Sequence, residues 1–151
     1  MKYVLFFIML ITSLTVNAAT FRLKVTPVGE DQIVSYDPND WEFIAKESHY
    51  TVNIAKGEIE NNKGFMMVQS NTTYDGHEVY SYMEKPVKRV FTYGALDCSD
   101  KKFYILGELY TAEDNTVQLV RYHEWGEWVS DLNGEGTARN AVYKRVCNTS
   151  I

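Results

Sequence analysis

Alternation of apolar and polar positions dominates the chain. Phe21-Arg22-Leu23-Lys24-Val25 alternates at the period of a half-buried strand. Residues 31–40 contain "SYDPND" and read as a loop, with Pro38 and Asn39 as turn residues. Residues 41–44 and 50–54 are short strand candidates. Gly57 and "ENNKG" at 60–64 punctuate the next connection, and the apolar run 65–68 leads into "QSNTT". Asp75-Gly76 predicts a type I′ hairpin turn, in which both central residues take positive φ. Pro86 marks an edge or a break.

Residues 87–98 read as one long strand with Val90, Thr92, Gly94, Leu96 and Cys98 on one face. Gly94 inside it predicts a bulge or a close backbone approach. The next strand places Phe103, Ile105, Gly107 and Leu109 on one face and Tyr104, Leu106, Glu108 and Tyr110 on the other. Residues 113–116 turn the chain into a strand from Val117 toward Trp125.

The period changes at the end of the sequence. Residues 136–147 fit a helix capped by Thr137. Ala138, Ala141, Val142 and Val146 share a face, and Lys144 and Arg145 suit the negative end of the helix dipole. So short a helix is not stable alone and must dock. The expected class is α+β, mainly β: an antiparallel sheet of about six strands with one C-terminal helix packed on a face.

Residues 1–19 read as a signal peptide. Lys2 precedes an apolar core, and Val16-Asn17-Ala18-Ala19 offers small residues for cleavage. Residues 20–151 then form one domain. The cleavage region holds no cysteine, so the chain does not read as a lipoprotein, and no membrane span is expected after cleavage. The expected location is the periplasm or the cell surface. Lysine and arginine number 15 against 20 aspartates and glutamates, a formal charge of −5, and loss of Lys2 adds one more negative unit. That balance argues against nucleic-acid partners, which favour a basic face.

Export also bears on the two cysteines, Cys98 and Cys147. Neither has a histidine beside it in sequence, no CxxC pair is present, and two cysteines do not make a zinc site. An even pair in an oxidising compartment favours a disulfide. It would close a loop of about 50 residues, worth about 4 kcal/mol in chain entropy.

Catalytic patterns are thin. His49, His77 and His123 are scattered, and "HEWGE" at 123–127 lacks the second histidine of a zinc-protease helix. The pairs Asp37 with Asp40 and Glu124 with Glu127 read as solvated loop charges rather than a glycosidase pair. No cofactor or metal is expected. The many tyrosines and tryptophans suit cross-strand packing, with an exposed subset available as a binding face. Lys85, Lys88 and Arg89 form a local basic cluster that is either solubilising edge charge or a protein-binding site.

"PVKRVFTYGALDC", "KKFYILGELY" and "ARNAVYKRVC", in that order on an exported β chain, resemble the surface-adhesin protein E family of Gram-negative bacteria. The resemblance runs over residues 41–147 and rests on Val90, Tyr93, Leu96, Cys98, Tyr110, Trp128 and Val146-Cys147. It implies a six-stranded antiparallel sheet whose terminal helix is tied by a Cys98–Cys147 bridge. It also implies a non-enzymatic envelope protein that contacts host matrix proteins, with a homodimer as the form of the best-known member. The basic strand of that adhesin corresponds here to Lys85, Lys88 and Arg89 only. The expected function is therefore that of an exported, non-catalytic binding protein. The rivals are an inhibitor or accessory factor of an envelope enzyme, and a small periplasmic hydrolase.

Overall fold

The computed structural model describes residues 20–24, 31–57, 59–132 and 137–148; the signal peptide expected at 1–19 lies outside them. The elements follow the alternating pattern closely. They are β1 Thr20–Lys24, β2 Asp31–Ser35, β3 Trp41–Lys46, β4 Tyr50–Ala55, β5 Glu60–Asn62, β6 Phe65–Glu78, β7 Val87–Asp97, β8 Lys102–Thr111, β9 Val117–Tyr122, β10 Val129–Asp131 and the helix α1 Ala138–Cys147.

The main sheet holds eight strands and runs β10-β8-β7-β6-β4-β3, with β5 pairing β6 and β9 pairing β8. All its pairings are antiparallel. β5 lies beyond the end of β4 along one edge of β6, and β9 and β10 share the outer edge of β8. The sheet is therefore six positions wide, as the sequence pattern predicts, with two positions filled by pairs of short strands. β1 and β2 form a separate antiparallel hairpin.

Two local expectations are overturned. The start of the supposed loop at 31–40 is the strand β2, and only Pro38–Asp40 forms a turn, one of 3-10 type capped by Asp37. The β-branched Ile33-Val34 pair beside Gln32 favours extended backbone, and β1 supplies its partner. Asp75-Gly76 makes no hairpin turn. It sits inside β6, in an irregular stretch where pairing shifts between Thr73 and Glu78. The backbone there is held from outside: Lys88 Nζ donates to the carbonyls of Asp75 and Gly76, and Lys46 pairs with the Asp75 carboxylate. The two-residue turn with both φ values positive is Lys63-Gly64, at 52° and 90°, between β5 and β6.

A register shift opposite Tyr93 and Gly94 places the extra residue, Leu106, in β8. This bulge changes the face of every later residue in β8. Leu109 joins Leu106 in one cluster, whereas Glu108 and Tyr110 turn to the opposite face. Strict alternation from Phe103 to Tyr110 therefore fails after Leu106. Gly94 is the close approach foreseen for it. A methyl group there would lie 2.5 Å from the Phe103 ring and 2.6 Å from the Tyr104 carbonyl oxygen.

One face of the sheet buries Trp41, Met67, Phe91, Tyr93, Leu106 and Leu109 with Val34 and Tyr36 of the N-terminal segment. Tyr36 and Trp41 both set their rings against Phe91, at 5.4 and 5.5 Å. The other face carries α1. Val142 and Val146 pack on Val52, Ile54, Val68, Leu96 and Phe103. Thr137 caps the helix by accepting from the Asn140 N–H, and Arg145 pairs with Glu42 at 2.8 Å. Cys98 and Cys147 form the disulfide, with Cα atoms 5.5 Å apart. The bridge ties the last helical residue to the turn after β7. Among the described residues no helix is long and apolar enough to cross a membrane.

Candidate functional site

The basic cluster lies where β6 returns to β7, and each of its cations has partners inside the chain. Lys85 Nζ donates to Asp114 Oδ2 at 2.6 Å and to Thr116 Oγ1 at 3.2 Å. Its backbone N–H donates to Gln118 Oε1. Arg89 Nη1 donates to Asn115 Oδ1 at 2.8 Å, and Lys88 holds the irregular part of β6 as described. Hydrogen bonds from Lys85 and then Thr116 keep the Asp114 carboxyl well below the usual carboxylate range. These residues fasten the 113–116 turn and the β6 irregularity to the start of β7.

The outer edge of β8 presents a different surface. Between β9 and β10 the chain leaves the edge opposite the bulge, and His123 N–H and the Trp128 carbonyl bond to Leu106 and Ile105. The loop so pinned displays Trp125 and Trp128, 43 % and 44 % exposed, beside Tyr122 and Val129 at 46 % and 44 %. Both indoles are fixed from beneath. Trp125 stacks on Tyr104 at 5.0 Å with 8° between planes, and Phe65 meets its edge at 4.9 Å. Trp128 stacks on the buried His123 ring at 5.0 Å. Glu127 accepts from the Glu124 N–H and closes the turn, so this carboxylate pair shapes the loop. Asp37, whose carboxylate accepts from the Asn39 N–H, likewise serves a turn beside Asp40.

The third feature is a cavity of about 490 Å³ on the helix face, between β6, β7, β8 and the first turn of α1. Its floor carries Glu108, only 3 % exposed. The bulge at Leu106 is what turns this carboxylate inward. Tyr110 O–H donates to Glu108 Oε2 at 3.1 Å. Arg139 Nη2 lies 3.8 Å from Oε1, and His123 Nε2, which has no hydrogen-bond partner among the described residues, lies 3.7 Å from Oε2. Burial and then the Glu108 carboxylate push the Tyr110 phenol above its usual range. In the same tyrosine cluster burial is the largest cause that pushes Tyr74 up to about 12. Ser70, Thr72 and Thr92 add hydroxyls, and His49 stands at the rim with Tyr50.

The sequence pattern reaches these features unevenly. The basic cluster is visible as a charge run. The aromatic edge is visible as aromatics, although not which of them are exposed. The cavity is missed because strict alternation puts Glu108 among Leu106 and Tyr104. Its one signal is a lone charge in "FYILGELY", a segment otherwise suited to a central strand. The side chain of His77 is outside the described ones. Among the described residues no group of three or more histidines, cysteines, aspartates and glutamates is placed to hold a metal. Comparison with family models, curated proteins and solved structures returns no match to this chain.

Proposed function

We propose that this chain is an exported, non-catalytic binding protein of the Gram-negative envelope, of the surface-adhesin protein E type. Its partner is a basic, extended segment of a host matrix protein, docked along the outer edge of β9 and β10. The observation that carries the reading is the aromatic edge. Trp125 and Trp128 are half exposed, yet each is braced by a stacked ring, so little rotamer freedom is lost on docking. Tryptophan and tyrosine anchors of this kind supply most of the energy at protein interfaces. The flanking Glu124 and Glu127 favour a basic partner, and a strand edge that is unpaired among the described residues accepts an extended one.

The basic cluster foreseen as the contact site is the weaker candidate, because Lys85, Lys88 and Arg89 already donate to the chain itself. A hydrolase gains little support from the cavity. Among the described residues Glu108 is the one carboxylate lining it, and glycoside hydrolysis ordinarily needs two.

Protease treatment of intact cells is expected to remove the protein from the cell surface. The double variant Trp125→Ala/Trp128→Ala is expected to bind immobilised host matrix protein about tenfold more weakly or worse, with its melting temperature retained. Full protection from protease on intact cells would rule out the adhesin role. A binding loss confined to the variant lacking Lys85, Lys88 and Arg89 would move the site to the basic end.

A further inference from the structure

The cavity under the first turn of α1 is separate from the aromatic edge. Its floor is chemically unfinished. A carboxylate has about four acceptor positions. Glu108 is almost wholly buried, yet among the described residues it receives a single hydrogen bond, from Tyr110 to Oε2, with His123 Nε2 at 3.7 Å from the same oxygen. Its Oε1 faces Arg139 at 3.8 Å, too far for a hydrogen bond. A buried charge so weakly satisfied is costly unless something entering the space supplies donors.

Charge then decides what enters. A lone ammonium would meet Arg139 beside the same carboxylate, and an anion would meet Glu108. An apolar molecule would add no hydrogen bond to Glu108, Arg139 or the hydroxyls of Ser70, Thr72 and Thr92. A neutral polyol satisfies each of these. Its hydroxyls donate to Glu108, accept from Arg139, and do both with serine and threonine. The walls suit the apolar faces of a sugar ring. Tyr80 meets Tyr110 at 6.2 Å and Tyr50 meets Tyr74 at 6.3 Å, both edge to face, and Tyr74 bonds to Tyr80, so the four tyrosines form one continuous wall beside the polar floor. The volume lies within the range of about 300–1,000 Å³ common for small-molecule sites.

We infer that this cavity is a saccharide-binding site, taking a neutral mono- or disaccharide with its hydroxyls on Glu108 and Arg139 and its ring against the tyrosines. The site is assembled by the Leu106 bulge, which aims Glu108, and by the docking of α1, which brings Arg139.

The test titrates the disulfide-bonded protein with N-acetylglucosamine, N,N′-diacetylchitobiose, cellobiose and maltose, with putrescine and citrate as charged comparisons. Backbone amide NMR shifts are the readout. At least one saccharide is expected to move the amides of Thr72, Thr92 and Arg139 with a dissociation constant of about 1 mM or tighter. The charged compounds are expected to leave them in place. Glu108→Gln is expected to weaken that binding about tenfold or more, since it replaces one acceptor oxygen by a donor. Should Glu108→Gln fail to fold, Thr92→Val provides the same comparison with a single hydroxyl removed. The inference is overturned if none of the four saccharides moves these amides, if putrescine or citrate does so instead, or if a folded Glu108→Gln protein binds as the parent does. Cleavage of a bound disaccharide would keep the saccharide site and overturn the non-catalytic reading of the chain. Loss of matrix binding in the tryptophan variant leaves this site untouched, so the two proposals fail separately.

Discussion

Protein in which Cys98 and Cys147 are both changed to alanine is expected to melt about 10–20 °C below the parent. The bridge joins residues 49 apart in sequence, and removing it restores to the unfolded chain a freedom worth about 4 kcal/mol. A domain of this size has only about 5–15 kcal/mol to lose. The loss is expected to fall first on α1. This helix spans 10 residues and cannot persist in isolation. Without the bridge its hold on the sheet includes Val142 and Val146, the Arg145–Glu42 pair, the bonds from Arg139 Nη1 to Ser130 Oγ and from Asn140 Nδ2 to the Leu132 carbonyl, and the Arg139–Glu108 contact. Amide exchange should therefore accelerate in 138–147 more than in β6, β7 and β8. Thermal melting followed by circular dichroism provides the stability measurement. A fall below about 3 °C would show that the staple contributes little and that packing alone holds the helix.

Gly94→Ala is expected to cost about 3 kcal/mol or more, the upper end of what one inserted methyl group costs in a packed core. Two neighbours oppose that methyl for different reasons. The Phe103 ring at 2.5 Å could turn aside, but only by disturbing Leu96 and the helix packed on it. The Tyr104 carbonyl oxygen at 2.6 Å belongs to the strand paired with β7 and has nowhere to move without breaking the ladder. The double variant Gly94→Ala/Phe103→Leu should consequently recover only part of the loss. Gly76→Ala provides the control, since a methyl group there meets nothing within 4 Å, and its cost should stay under about 1 kcal/mol. Urea denaturation of the four proteins checks the series. Equal losses at Gly94 and Gly76 would remove the steric reason for Gly94.

What the alternating pattern reveals, and what it hides, follows from the same local events. Strands 87–97 and 102–111, the capped terminal helix and the disulfide are all legible, because period, capping and cysteine count are properties of adjacent residues. The failures lie where a distant partner decides. Residues 31–35 become a strand because β1 pairs with them. Asp75-Gly76 stays extended because Lys88 of the adjacent β7 and Lys46 of β3, two strands away, hold it. Lys63-Gly64, whose Gly64 N–H donates to Asn61 Oδ1, takes the positive φ values that a two-residue hairpin needs.

The Leu106 bulge matters most for function. Bulge positions leave little trace in a single sequence, yet this one reverses the faces of Glu108 and Leu109. A carboxylate that alternation would bury under the N-terminal hairpin instead forms the floor of the cavity. The aromatic edge depends on the same place. The loop carrying Trp125 and Trp128 is pinned to Ile105 and Leu106 on the opposite side of the bulged strand. Exposure of those indoles is a consequence of this pinning, and composition alone does not separate them from the core aromatics.

Hydrogen exchange on the complex with host matrix protein distinguishes docking at that edge from docking at the basic end. Backbone amides in 117–131 are compared with those in 85–89, free and bound. Docking along β9 and β10 predicts slowed exchange in 117–131 and unchanged exchange in 85–89. Protection confined to 85–89, or none in 117–131 at saturating partner, would contradict it.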